Sequence, residues 1–227
     1  MDGGADTDTD TDADGGTDTD ADTDIDTEEQ ACEPDDVSGY TPDWKPPSGF
    51  EQGLCTVDQI AAYIGACLDT GTTTDACDTW TGDGANAACF ACALTPYEDA
   101  IQGPLGLHSD RGSVQVIDGN VGQCISALEG DDSADSCGAA YEAAKQCGID
   151  ACKENCSLDS TETFSADLAM FNTCIYQAIA GDCAPYQTAW ATCSADLAVS
   201  IDDCIWSSES FATFAERLVT LHCGPPV

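Results

Sequence analysis

CGAAYEAAKQCGIDACKENC, residues 137–156, carries two alanine pairs and a fifth alanine, two glycines and four cysteines in twenty positions. Alanine, glutamate, lysine and glutamine are strong helix formers, so this stretch predicts a helix rather than a strand. Read from SADSC onward, the expected helix covers residues 133–147, capped by Ser133, with Cys137, Tyr141 and Ala144 on one face. Cys152 and Cys156 follow, four apart on a helical face, so they point the same way and are expected to staple to a neighbouring element. A cysteine-bearing helix that bonds to other helices sets the expected fold: mainly α, held by disulfides.

The same texture extends outward. TVDQIAAYIGACLDT (56–70) reads as a helix with Thr56 as cap and Gln59 completing a capping box; Ile60, Tyr63, Ile64 and Cys67 share one face. FSADLAMFNTCIYQAIA (164–180) puts Phe164, Leu168, Phe171 and Ile175 in register. CAPYQTAWATCSADLA (183–198) and SESFATFAERLVTLHC (208–223) complete the helical set, the last aligning Phe211, Phe214, Leu218 and Leu221. SVQVI (113–117) is β-branched and flanked by glycines, so at most one short strand or β-hairpin is expected there.

Three segments share a plan: GACLDTGTTTDACDTW (65–80), GQCISALEGDDSADSCGAAY (122–141) and NTCIYQAIAGDCAPY (172–186). In each, a helix ends on a cysteine, a short turn follows, and a second cysteine opens the next helix just before an aromatic. One reading is a threefold repeated module. The reading preferred is helical hairpins stapled near their turns, because the loop lengths drift.

Sixteen cysteines in 227 residues indicate an oxidising compartment, and an even total fits complete pairing. The disulfide candidates are Cys32, Cys55, Cys67, Cys77, Cys89, Cys92, Cys124, Cys137, Cys147, Cys152, Cys156, Cys174, Cys183, Cys193, Cys204 and Cys223. Cys89 and Cys92 form a CxxC. A redox centre would need that motif inside a βαβ unit with positive charge nearby, and neither surrounds it. A zinc site would need a second knuckle, but His108 and His222 lie far apart in the sequence. The preferred reading bridges each cysteine to another helix.

Cysteines from Cys55 to Cys223 number fifteen, so full pairing requires Cys32. If Cys32 bonds into the domain, residues 33–54 become a strap with Tyr40, Trp44 and Phe50 as its packing residues. Pro42, Pro46 and Pro47 bar a helix in that segment. The rival is a free Cys32 that pairs with a second copy of the chain. The expected organisation is an acidic tether (1–31), a Pro-rich hinge or strap (32–54) and a cysteine-rich helical domain (55–227).

Charge narrows the partners. Five basic residues face 43 acidic ones, a net charge of −38, and thirteen of the acids lie in residues 1–30. Such a surface repels phosphate backbones and anionic headgroups, which argues against nucleic acid and direct membrane-surface binding. Cations, basic proteins and basic glycan groups are compatible; a protein or glycan partner is expected. DTDTDTDADGG (6–16) matches the start of a calcium loop at Asp10, Asp12, Asp14 and Gly15. Its twelfth position, which should be a bidentate acid, is Ala21, and a Thr-Asp repeat yields D-x-D-x-D in almost any frame. A solvated, disordered tether is the preferred reading, with weak non-specific calcium binding and no dedicated cofactor.

No window approaches the 18 or so apolar residues of a membrane span. No secretory leader begins at Met1, so the chain is read as a mature form whose leader, or lipid anchor, lay upstream of residue 1. Cys32 is not an anchor site, since EEQA before it lacks the apolar residue a lipidation signal requires. Catalytic patterns such as G-x-S-x-G and H-E-x-x-H are absent. His108 reads as a loop histidine and His222 as a cation closing the last helix. The acid pairs Asp131/Asp132 and Asp202/Asp203 read as solvated turns. Asn155-Cys156-Ser157 is a glycosylation sequon that a bridged Cys156 would hinder.

CFACALTP, LGL, GNVGQCISAL, CGAAYEAAKQCGIDACKENC and NTCIYQAIAGDCAPYQTAWATC together resemble a group of cysteine-rich secreted proteins and lipoproteins of myxobacteria. The resemblance spans roughly residues 55–204. It implies an exported protein with a linker and a C-x-x-C, Y-x-A-x-x-x-C, A-C-x-x-x-C domain, and it carries no activity. The function expected is a secreted or surface-displayed, non-enzymatic structural or binding module. Alternatives are an extracellular calcium-responsive adhesion protein and an exported thiol–disulfide or hydrolytic enzyme.

Overall fold

A computed structural model describes residues 32–108, 115–156, 158 and 163–226. Asp10, Asp12, Asp14 and the tether lie outside the described residues. The fold is mainly α: eight α-helices and one three-stranded sheet among the described residues, stapled by eight disulfides.

Helix α1 (Val57–Tyr63) carries the capping box foreseen at Thr56 and Gln59, and runs on as a π-helical turn, Ile64–Leu68. It buries Ile60, Tyr63 and Ile64. Helices α2 (Thr74–Thr81) and α3 (Ala87–Ala93) follow, with α3 holding the CxxC. Strands β1 (Leu94–Pro96), β2 (Leu105–His108) and β3 (Val116–Gly119) form the sheet. The β2–β3 pair is antiparallel and its second strand begins within the SVQVI segment; β1 is added parallel to β2.

Helix α4 (Val121–Glu129) ends on Gly130, whose φ of 71° is the left-handed conformation a C-cap glycine adopts without strain. Helix α5 (Cys137–Cys152) starts later than expected: Ser136, not Ser133, caps it, its hydroxyl accepting from Ala139 N. Ser136 Oγ also meets Ser126 Oγ at 2.7 Å, a buried contact that Ser133 could not make from the exposed turn. The helix continues through Gly148 to Cys152, so Cys156 lies beyond it. Helices α6 (Phe164–Ala180), α7 (Ala184–Ala195) and α8 (Phe211–Cys223) complete the chain.

Two apolar cores result. One gathers α1, α3, α4, α8 and β2 around Tyr63, Leu105, Ile125, Phe214 and Leu218. The other gathers the end of α5 with α6 and the start of α7 around Phe171, Ala178 and Leu158. Each core has its own disulfides. Cys55–Cys89, Cys67–Cys77, Cys92–Cys223, Cys124–Cys204 and Cys137–Cys193 serve the first. Cys32–Cys156, Cys147–Cys183 and Cys152–Cys174 serve the second. Antiparallel α5 and α7 run through both cores and carry one rung in each.

The hairpin-staple expectation holds only for Cys67–Cys77. In the other two segments the cysteines cross to different elements: Cys137, Cys174 and Cys183 bond within the α5–α6–α7 packing, and Cys124 of α4 bonds to Cys204 before α8. Cys152 and Cys156 likewise diverge, one to α6 and one to Cys32.

Residues 32–54 lie along the folded unit as a strap. Tyr40 packs edge-on to Tyr186 at 5.3 Å and donates to Ala143 O at 3.2 Å. The Trp44 indole donates to Asp132 O at 2.9 Å, and the Phe50 ring packs at a tilt against His222, centroids 4.9 Å apart. Gln102, 1% exposed, is the anchor beneath it. Its backbone pairs with Pro46 O and Ser48 N, while its amide donates to the carbonyls of Pro96, Tyr97 and Asp99. Gln123 Nε2 adds a bond of 3.0 Å to Lys45 O.

Candidate functional site

The CxxC does not behave as a dithiol. Cys89 is bonded to Cys55 and Cys92 to Cys223, so the two sulfurs serve different partners. No free cysteine remains among the sixteen. Cys32, Cys156 and Cys174 bring their sulfurs within 4.8 Å of one another, the one such group among the described residues. All three are already in disulfides, which leaves no thiolate for a metal. Asn155 of the sequon donates its amide to Glu33 O at 3.2 Å, beside the Cys32–Cys156 bond.

The histidines differ from their expected settings. His108 ends strand β2 instead of sitting in a loop; it is 4% exposed and stacks on Tyr97 at 4.3 Å. His222 is 1% exposed and is not a cation at the helix end. Burial lowers its pKa to about 4, partly countered by the hydrogen bond to Gly49 O. Its Nδ1 faces that carbonyl at 3.3 Å and donates to it; Nε2 is buried with no hydrogen-bond partner among the described residues. The desolvation cost of the charged ring exceeds the attraction of the helix C-terminus, whose effect is at most about 2 kcal/mol. Asp131 and Asp202 cap turns through Ser133 N and Ser200 Oγ, as solvated turns do.

A cleft of about 840 Å³ lies where the two cores meet. Ile117, Trp190 and Phe214 line it from the first core's side; Leu168, Phe171 and Ile175 line it from the second. No disulfide joins the two cores across it. Helix periodicity explains the second wall: Leu168, Phe171 and Ile175 fall at i, i+3 and i+7 along α6, so one stripe faces α5 and the cleft. The first wall is held by rings. Trp206 stacks on Phe214 at 5.6 Å, and Arg217 sits 5.5 Å over the other partner of that pair while donating to Ile205 O at 3.1 Å. Arg217 also pairs with Glu209, which fixes the segment before α8.

Polar groups are few in the cleft. Lys145 meets Asp118 at 2.7 Å and reaches Gly119 O at 3.4 Å. Burial alone would pull the lysine pKa down; Asp118, then Glu142 and Tyr141, more than offset it, and the ammonium stays charged above the usual lysine range. Tyr141, edge-on to Trp190 at 5.1 Å, has its hydroxyl pushed up to about 12 by burial. Neither group can take or give a proton readily near neutral pH.

A second, smaller pocket of about 270 Å³ lies under the strap, between residues 39–43 and α5, with Ile149 as the wall it shares with the cleft. The chain matches no family model, no curated protein and no solved structure. Sequence reasoning found several cleft residues as helix-face positions, among them Leu168, Phe171 and Ile175. It had no means of foreseeing that they face a void, because the opposite wall comes from residues 116–121 and 190–214.

Proposed function

We propose that the chain is an extracellular, non-enzymatic binding module that holds a small apolar or amphipathic molecule in the cleft between its two cores. The observation that carries the reading is the cleft itself: about 840 Å³, walled mainly by aliphatic and aromatic side chains, with the Lys145–Asp118 ion pair and a few amides and phenols, among them Asn172, Gln187 and Tyr141, as its polar groups. Ligand cavities run about 300–1,000 Å³ and favour this lining, often at the junction between packed units. Eight disulfides with no spare thiol support an oxidising, extracellular setting. No described helix is long and apolar enough to cross a membrane.

The test is displacement. A naphthalene dye that brightens in apolar surroundings is bound to the intact protein and displaced by a straight-chain fatty acid. Ile175→Trp fills the cleft from one wall. The expected result is saturable, single-site dye binding that this substitution abolishes without altering the melting curve. Equal dye binding by the folded Ile175→Trp protein would remove the cleft from the proposal.

A further inference from the structure

Charge and ring faces together narrow what the cleft can hold. Of the 43 acidic residues, the thirty beyond residue 30 face all five basic ones. Each basic side chain among the described residues already pairs with a carboxylate: Lys45 with Asp43, Lys145 with Asp118, Lys153 with Asp150 and Arg217 with Glu209. Lys145 is the cation of the cleft itself, and it answers two acids, Asp118 at 2.7 Å and Glu142 through its field. One ammonium between two carboxylates leaves that wall negative, so an entering carboxylate head is repelled and a cationic one attracted.

The rings supply the second half. Tyr141, Tyr176, Trp190 and Trp206 line the cleft. Among the described residues, cations sit over the Tyr97 and Phe214 rings and over none of these four. Trp206 is half exposed, and its orientation is fixed. One face stacks on Phe214 with the planes 10° apart, and Nε1 donates to Glu209 O at 2.9 Å. With its N–H engaged, the indole offers a ligand its other face, and tryptophan is the best of the aromatic surfaces for a cation. Asp118 already accepts from Lys145, so a primary ammonium would have to compete for that carboxylate. A quaternary ammonium has no N–H to satisfy. It needs a negative potential and ring faces, and the cleft has both.

Resting on the reading that the cleft holds an amphipathic molecule, we infer that its ligand is a quaternary-ammonium amphiphile. The alkyl chain lies along Leu168, Phe171 and Ile175, and the trimethylammonium head sits against the open face of Trp206. Trp206 is then the residue that sets head-group preference, and the α6 stripe the part that takes any chain.

The experiment displaces the cleft-bound dye from the full chain at physiological ionic strength, with four probes of equal chain length: octyltrimethylammonium, octylammonium, 1-octanol and octanoate. The expected order puts the trimethylammonium probe tightest, ahead of octanol by at least about fivefold, with octanoate last. Trp206→Leu keeps an apolar side chain and removes the ring face, and should cut the ratio of trimethylammonium to octanol affinity by about fivefold or more. Octanoate binding as tightly as the trimethylammonium probe, octylammonium binding equally well, or an unchanged ratio in the folded Trp206→Leu protein would each overturn the head-group assignment while leaving the cleft as a ligand site. Displacement by none of the four would remove the cleft reading, and this inference with it.

Discussion

Replacing Cys32 and Cys156 together by serine releases the strap's N-terminal end and leaves seven disulfides. The bond joins residues 124 apart in sequence. In the unfolded chain the other bridges shorten the covalent path, chiefly through Cys55–Cys89, Cys92–Cys223 and Cys137–Cys193. The loop it closes is then about 75 residues, for which loop-closure entropy gives about 4.5 kcal/mol at 25 °C. In a unit of the size of Ala31–Val227, each kcal/mol moves the melting temperature by about 2–4 °C, so a fall of roughly 10–18 °C is expected. Circular dichroism melts under oxidising conditions read the shift, with mass spectrometry confirming the remaining seven bridges. Removing the bond also frees Tyr40 from one of its anchors, so the Tyr40–Tyr186 contact should loosen before the global transition. A melting temperature within about 2 °C of the unmodified protein would refute the strap as a constraint on the fold.

Gly138→Ala places a Cβ 2.0 Å from Gly122 O and 2.4 Å from Ser126 Oγ, forcing α4 and α5 apart. A loss of about 1–3 kcal/mol is expected despite the gain in helix propensity, whereas Gly65→Ala, with nothing within 4 Å, should be neutral or stabilising in denaturant titration. His222 titrates near 4 when folded and near its ordinary 6.5 when unfolded, so the unfolded chain binds more protons between those values. Its contribution is complete above pH 6.5 and is lost as pH falls to about 4, roughly 3 kcal/mol in all, and the difference in stability between the unmodified protein and His222→Gln should change across that window. Denatured but unreduced protein should show no reactive thiol among its sixteen cysteines; one or two would contradict complete bridging. Gln102→Leu removes the donor to the carbonyls of Pro96, Tyr97 and Asp99, and should cost on the order of 2–4 kcal/mol by thermal melting.

What was legible in the sequence follows from how local its cause is. The α1 capping box is written in four consecutive residues, and α6 runs over the residues its apolar stripe marks, because both depend on nearest turns. Helix α4 has no side-chain cap: Asn120 spends its amide on Gly103 O at 2.7 Å, so the start signal was missing. The sequence reading placed the α5 cap at Ser133, and burial against Ser126 puts it at Ser136 instead. Strand β1 is three residues ending in proline, and only its partner β2 makes it a strand. Cysteine parity pointed to Cys32, but its partner Cys156 depends on where α5 stops. Glu142 carried no signal in the sequence reading; its burial comes from the close approach of α4 at Gly122. The cleft was out of reach, since its walls are drawn from positions between 67 and 214.

Isotope-filtered nuclear Overhauser spectra on labelled protein with an unlabelled, dye-displacing fatty acid test the cleft most directly. The expected result is intermolecular contacts from the acyl chain to the methyls of Ile117 on one wall and of Leu168 and Ile175 on the other. Saturable binding with contacts to other methyls, or with none to these three, would contradict ligand capture in the cleft.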